Sequence, residues 1–205
     1  MLKHRKLIQV LTLIIFAALM ATGKIQLWMM IFLVGLFLST FLGRFYCGYM
    51  CPINTAMEVV DGNAAKNKRK RIKTPNWMKS SIVRITVLIL FLGTMAFVFK
   101  TGKKLPVLPI LFLLGLVLTI FFEPSLWHRY LCPFGTLLSM FSRKNKKGYR
   151  VEDEGCIQCG QCVRVCPGDA ISWEDKKEDP IINMKDCLVC GKCQAVCPKD
   201  VIEYV

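Results

Sequence analysis

Eight cysteines stand in the last fifty residues, as the run CIQCGQCVRVCP from Cys156 and, 31 residues on, CLVCGKCQAVCP from Cys187. Two residues between successive cysteines let three thiolates curl around one corner of an iron–sulfur cube. The three-residue gap carries the fourth away on a short helical turn, so that it serves the other cube. The spacing assigns Cys156, Cys159, Cys162 and Cys197 to one [4Fe–4S] cluster and Cys187, Cys190, Cys193 and Cys166 to a second. Gly160 and Gly191 fall where a tight loop needs backbone angles that other residues avoid, and Pro167 and Pro198 fix the turn after the crossing cysteine. Two zinc sites of four cysteines each are the competing reading, but a duplicated run with these prolines is not a usual zinc spacing. The chemistry expected is one-electron transfer carried by clusters, since no protein group is arranged for acid–base or nucleophilic work.

The other three cysteines lie in two related turns, FYCGYMCPINT at 45–55 and WHRYLCPFGT at 127–136. Each proline opens an amphipathic stretch and suits the first turn of a helix. Cys51 and Cys132 are then expected at helix N-termini, where free N–H groups favour a thiolate. On a continuous helix Cys47 and Cys51 would be ~5–6 Å apart, beyond the ~3.8 Å of a disulfide. A turn between them relaxes that objection, so geometry only slightly favours a shared metal. In the second copy His128 occupies the place of Cys47. If the turns converge, Cys47, Cys51, His128 and Cys132 are candidate ligands of a further metal or cluster, because imidazole replaces thiolate at some iron centres. Otherwise His128 is an ordinary interfacial residue and the cysteines are structural. Both readings stay open.

What must position these residues is a membrane. The 205-residue chain is 54% hydrophobic yet carries a net charge of +14, a pairing foreign to soluble domains and ordinary for small membrane proteins with basic loops. Residues 1–147 hold 21 Lys and Arg against 3 Asp and Glu, and residues 148–205 hold 7 against 11. The break points to two domains, 1–145 and 146–205. Four apolar stretches, Leu7–Thr22, Ile25–Leu42, Ile82–Phe99 and Leu105–Phe122, approach the roughly 17–25 residues needed to span hydrocarbon. The first also resembles a signal peptide. However, a shift of 81 residues lays the first pair over the second and brings Tyr49, Cys51, Pro52 and Thr55 onto Tyr130, Cys132, Pro133 and Thr136. The first span is therefore read as half of a repeated hairpin and as retained.

The basic segments MLKHRK, KNKRKRIK at 66–73 and RKNKK at 143–147 are expected inside the cell, against three lysines in the loop Lys100–Lys104. The N-terminus and the cysteine-rich tail then share the cytoplasm, whose reducing conditions suit thiolate ligation. Arg84 is expected to snorkel from the inner end of the third span. The run at 66–73 reads as a topogenic loop, and no nucleic-acid partner is expected.

Residues 147–205 resemble the bacterial two-cluster ferredoxin domain, which implies a small α+β fold with a pseudo-two-fold axis. With four helices in two repeated hairpins ahead of it, the whole chain resembles the polyferredoxin-type membrane iron–sulfur proteins. These include the H-type subunit of periplasmic nitrate reductase, regulators of nitrous-oxide reduction and cytochrome oxidase assembly factors. The resemblance implies a multi-pass inner-membrane protein that passes electrons between a cytoplasmic carrier and a membrane partner or quinone. It equally accommodates a maturation factor or metal reductase acting on a partner's metal centre, or a redox sensor. The chain lacks a nucleotide-binding glycine fingerprint and a CxxCH haem attachment, so a redox partner protein is required.

Overall fold

The computed structural model describes residues 2–67, 69–102, 105–145, 147–152, 155–174 and 178–205. Lys68, Lys103, Lys104 and Lys146 of the basic segments lie outside these residues, as do positions 175–177 of the tail. The first part of the chain is helical: α1 Leu2–Ala21, α2 Gln26–Leu42, α3 Pro52–Lys66, α4 Ser81–Thr101, α5 Val107–Phe121 and α6 Pro133–Phe141. A small α+β unit follows, with β1 Tyr149–Val151, α7 Gln161–Val165, β2 Ile171–Ser172, β3 Ile181–Ile182, α8 Lys192–Ala195 and β4 Ile202–Tyr204.

The helix ends follow local chemistry. Ser80 caps α4 by accepting a hydrogen bond from the Ile82 N–H at 3.1 Å, and Gly102 closes it in the left-handed conformation. Both α3 and α6 begin with proline after an extended cysteine. The helix lengths refine the four-span expectation. α1 and α4 have 20 and 21 residues and pass as membrane-crossing helices, whereas α2 and α5 are apolar but only 17 and 15 residues long. At about 1.5 Å per residue the latter two fall short of ~30 Å of hydrocarbon. α2 stops at Gly43, whose φ is 69°, and α5 starts only after Pro106.

The repeated hairpins interlock. α3 of the first repeat packs on α5 of the second, and α6 of the second packs on α2 and α4. Small residues admit the aromatic rings that fill the seam. A Cβ on Gly35 would meet the Tyr46 ring at 2.6 Å, and one on Gly115 would meet the Trp127 ring at 3.1 Å. The outer faces stay apolar and bare, with Phe37, Phe41, Ile82, Ile89, Leu90 and Leu113 all exposed. A belt of this kind calls for lipid rather than water, and the protein is membrane-associated.

In the tail, β1 and β4 pair antiparallel with Tyr149 opposite Tyr204, and β2 pairs with β3. β2 and β3 lie in the segment between the two cysteine runs. Tyr149, Ile171, Ile182 and Ile202 form its small core among the cysteines.

Candidate iron–sulfur sites and the thiols of the membrane turns

Left-handed backbone shapes both cysteine loops. Gly160 and Gly191 have φ of 68° and 70°, and the non-glycine residues Gln158 and Val189 both have φ of 54°. Asp169 and Asp200 repeat the pattern at 48° and 56°. Each pair is separated by 31 positions, so the two halves share one local fold. Such turns aim successive backbone N–H groups inward, the usual cradle for an anionic group. The Ala170 N–H donates to Cys166 Sγ at 3.3 Å and the Val189 N–H to Cys187 Sγ at 3.4 Å.

The eight tail thiols divide four and four. Cys156, Cys159, Cys162 and Cys197 line one small cavity, and Cys166, Cys187, Cys190 and Cys193 line another. Each fourth cysteine thus lines the cavity of the other run. Burial pushes the thiols of Cys166, Cys187 and Cys190 upward, against backbone N–H groups that pull them down. A buried thiol in such a place becomes a thiolate through metal coordination. Among the described residues no three His, Cys, Asp or Glu side chains close on a single ion, in the tail or at the membrane turns. Four thiols around each tail cavity are the number a [4Fe–4S] cluster takes.

Each membrane turn is a short π-helix, Tyr46–Met50 and Leu126–Leu131, a geometry enriched at functional sites. Cys51 and Cys132 follow as N-caps with closely similar angles, and Thr55 and Thr136 each donate to the carbonyl of that cysteine, at 3.1 and 3.2 Å. The two turns converge: Cys47 and Cys132 belong to one buried cluster, Cys51 packs against it half-buried, and His128 is buried too. All eleven cysteines are free. The expectation that helix N-termini would favour thiolates here is corrected by burial. It raises Cys51 far above the ordinary range and pushes Cys132 up to about 12, although the Gly135 N–H donates to Cys132 Sγ. Burial, with Arg44 and Lys192 nearby, pushes His128 down to about 3. It is therefore a neutral imidazole, the form that ligates metal.

Three features escape the sequence reading. The first is Arg44, fully buried beside the turns. It donates to the His128 carbonyl at 3.2 Å and lies 3.7 Å from Cys47 Sγ, while its Nε has no partner. The second is Asp186, also fully buried, which pairs with Arg84 at 3.1 Å and Arg129 at 3.7 Å and accepts from Ser139 Oγ. Arg84 thus turns inward to a carboxylate instead of snorkelling to the interface. The third is a polar network at the inner end of α1. Arg5 and Gln9 both donate to the Gly48 carbonyl and contact Glu58, and Lys192 of the tail reaches Glu58 and Asp61. None carries a local spacing signal, because the partners that define each lie some 40 residues or more apart.

Two cavities open into the helical part. A small one, lined by Trp28, Phe32, Tyr46, Cys51 and Phe134, lies against the turns. A larger one of about 580 Å³, open to the outside, is lined by Gln26, Met29, Phe91, Met95, Pro106 and Phe134 among others. Leu108 and Phe134 line both cavities.

Residues 25–72 and 105–150 match a 4Fe-4S binding domain, and residues 155–201 match a 4Fe-4S dicluster domain. The chain is an iron–sulfur protein with a ferredoxin-type tail that carries two [4Fe–4S] clusters. The first match falls twice, once on each membrane turn. Among its relatives, an uncharacterized protein of Methanocaldococcus jannaschii is 29% identical over 66% of this chain and 56% of its own. The "Putative electron transport protein YccM" of Escherichia coli is 23% identical over 68% and 45%. The methylamine utilization ferredoxin-type protein MauN of Methylobacillus flagellatus is 26% identical over 73% and 55%. The chain spans about half the length of these relatives. No solved structure matches it.

Proposed function

We propose that this chain is a membrane-anchored electron-transfer protein of the polyferredoxin type, in the manner of the H-type subunit of periplasmic nitrate reductase. Residues 1–145 form its membrane domain and residues 146–205 its ferredoxin domain. Cys156, Cys159, Cys162 and Cys197 hold one [4Fe–4S] cluster, and Cys187, Cys190, Cys193 and Cys166 the other. The observation that carries this is the division of eight thiols into two four-cysteine cavities, one of them pressed against the membrane turns. Both termini face the cytoplasm, in keeping with the placement of positive charge. Electrons pass between a soluble cytoplasmic carrier and a membrane acceptor or donor. The large apolar cavity beside Phe134 supports a quinone in that role.

Cys47, Cys51 and Cys132, with His128, are the candidate ligands of a further iron centre, which when bound supplies one-electron chemistry. Three free thiols, a neutral imidazole and a buried guanidinium whose Nε has no partner suit an anionic thiolate-bound metal.

The test reconstitutes the full-length protein in liposomes that contain quinone, reduces it with a soluble one-electron carrier, and follows cluster absorbance. Quinone-dependent reoxidation is expected, with roughly a tenfold or greater loss of rate in Cys187→Ser, which removes a ligand of one cluster. Clusters that stay reduced in the presence of quinone would contradict a quinone partner.

A further inference from the structure

The two halves of the tail share a fold but not an environment. Ile157, between the first two cysteines of its run, is 54% exposed, while its equivalent Leu188 is 2% exposed. Cys156 and Cys159 are half-buried, while Cys187 and Cys190 are buried. The cause is the membrane turn. The Leu188 carbonyl lies against Gly48 so closely that no Cβ would fit, and the Val189 carbonyl oxygen stands 3.0 Å from where that Cβ would be. Leu188 and Cys190 share one buried cluster with Cys47 and Cys132. Tyr204 and Arg44 tie the same side down, by hydrogen bonds to the carbonyls of Leu42 and Asp186.

Arg44 sits at this seam with no carboxylate of its own among the described residues, since Asp186 is occupied by Arg84 and Arg129. A buried charge without a counter-ion is costly. The nearest side-chain atom that can carry negative charge is Cys47 Sγ, at 3.7 Å. On the other side the guanidinium donates to the Asp186 carbonyl at 3.3 Å, one residue before Cys187.

We propose that this seam gives the two clusters different posts, and that Arg44 is the residue that sets the inner one. The cluster in the Cys166, Cys187, Cys190 and Cys193 cavity is the internal relay to the membrane turns. The cluster in the Cys156, Cys159, Cys162 and Cys197 cavity is the port to the soluble one-electron carrier. This rests on both cavities holding clusters, as proposed above. When an electron crosses, the port cluster goes from the +1 to the +2 state and the relay cluster from +2 to +1, with no bond made or broken. The fixed positive charge of Arg44 favours the more negative, reduced state of the relay. Its removal therefore lowers the relay's potential and leaves the port's unchanged.

The experiment is a redox titration of the full-length protein followed by electron paramagnetic resonance, with a water-soluble paramagnetic lanthanide chelate to mark the exposed cluster. In the wild-type protein the chelate is expected to broaden one [4Fe–4S] signal and spare the other. In Arg44→Gln the spared signal shifts to lower potential, by at least a tenfold change in its reduced-to-oxidised ratio, or about 59 mV for one electron. Arg44→Lys restores most of the shift. Equal broadening of both signals in the wild type overturns the proposal without any variant. So does a shift confined to the broadened signal, an equal shift of both, or none. Fewer than two [4Fe–4S] signals in the wild type would instead sink the proposed function itself.

Discussion

Chelation of iron under anaerobic conditions unfolds residues 148–205 and leaves α1–α6 folded. Among the described residues the tail has two sheets of two strands each, none longer than three residues, and helices of five and four residues. Its buried apolar groups beyond cysteine are few, chiefly Tyr149, Ala170, Ile171, Ile182, Val189 and Ile202. Ordering each residue costs about 1–2 kcal/mol of backbone entropy, and domains this small depend on staples. Here the clusters take that place, since cysteines from both runs fill the centre of the domain. Limited proteolysis reads the outcome: after iron loss the tail is cut throughout, while a fragment containing α1–α6 persists. A tail equally resistant with and without iron would contradict this.

Replacing Asp186 with alanine releases the tail from the membrane part. The fully buried carboxylate is shared by Arg84 of α4 and Arg129 of the second π-turn and accepts from Ser139 of α6. Its removal leaves Arg84 without a counter-ion, while Arg129 keeps Asp169 at 3.6 Å, and breaking a buried pair of this kind costs about 3–5 kcal/mol. Asp186→Asn keeps an acceptor for Ser139 but not the charge, and is expected to fall between. The expected readouts are a lower denaturant midpoint for loss of the cluster chromophore and faster cleavage near residues 142–148. An unchanged midpoint in Asp186→Ala would show that the docking does not depend on this carboxylate.

The sites differ in how far they could be read in advance. Cluster ligation is a local demand with a fixed spacing, so the dicluster tail and the left-handed Gly160 and Gly191 were legible. The repeat of 81 residues was legible as well, because both hairpins end in the same proline-started helix. The π-helical turns were not, since a π-turn is a backbone choice without a residue signature. Nor were the short lengths of α2 and α5, which are set by Gly43 and Pro106 at the ends of otherwise unbroken apolar runs. Arg84 was misread for a similar reason. An arginine at a helix end ordinarily reaches for the interface, and its partner Asp186 lies 102 positions away. Arg44 and Gly48 carry no spacing signal, and only the meeting of the tail with the turns gives them a role. The membrane thiols stand between these extremes. Their convergence was one of two open readings, and it depended on how two hairpins fold together.

Iron and sulfide analysis with Mössbauer spectroscopy of the anaerobically purified full-length chain tests the central claim most directly. Two ferredoxin clusters predict about eight irons per chain in [4Fe–4S] environments. Any excess that disappears in Cys47→Ser belongs to the membrane turns. A colourless preparation without iron–sulfur signals would contradict the account.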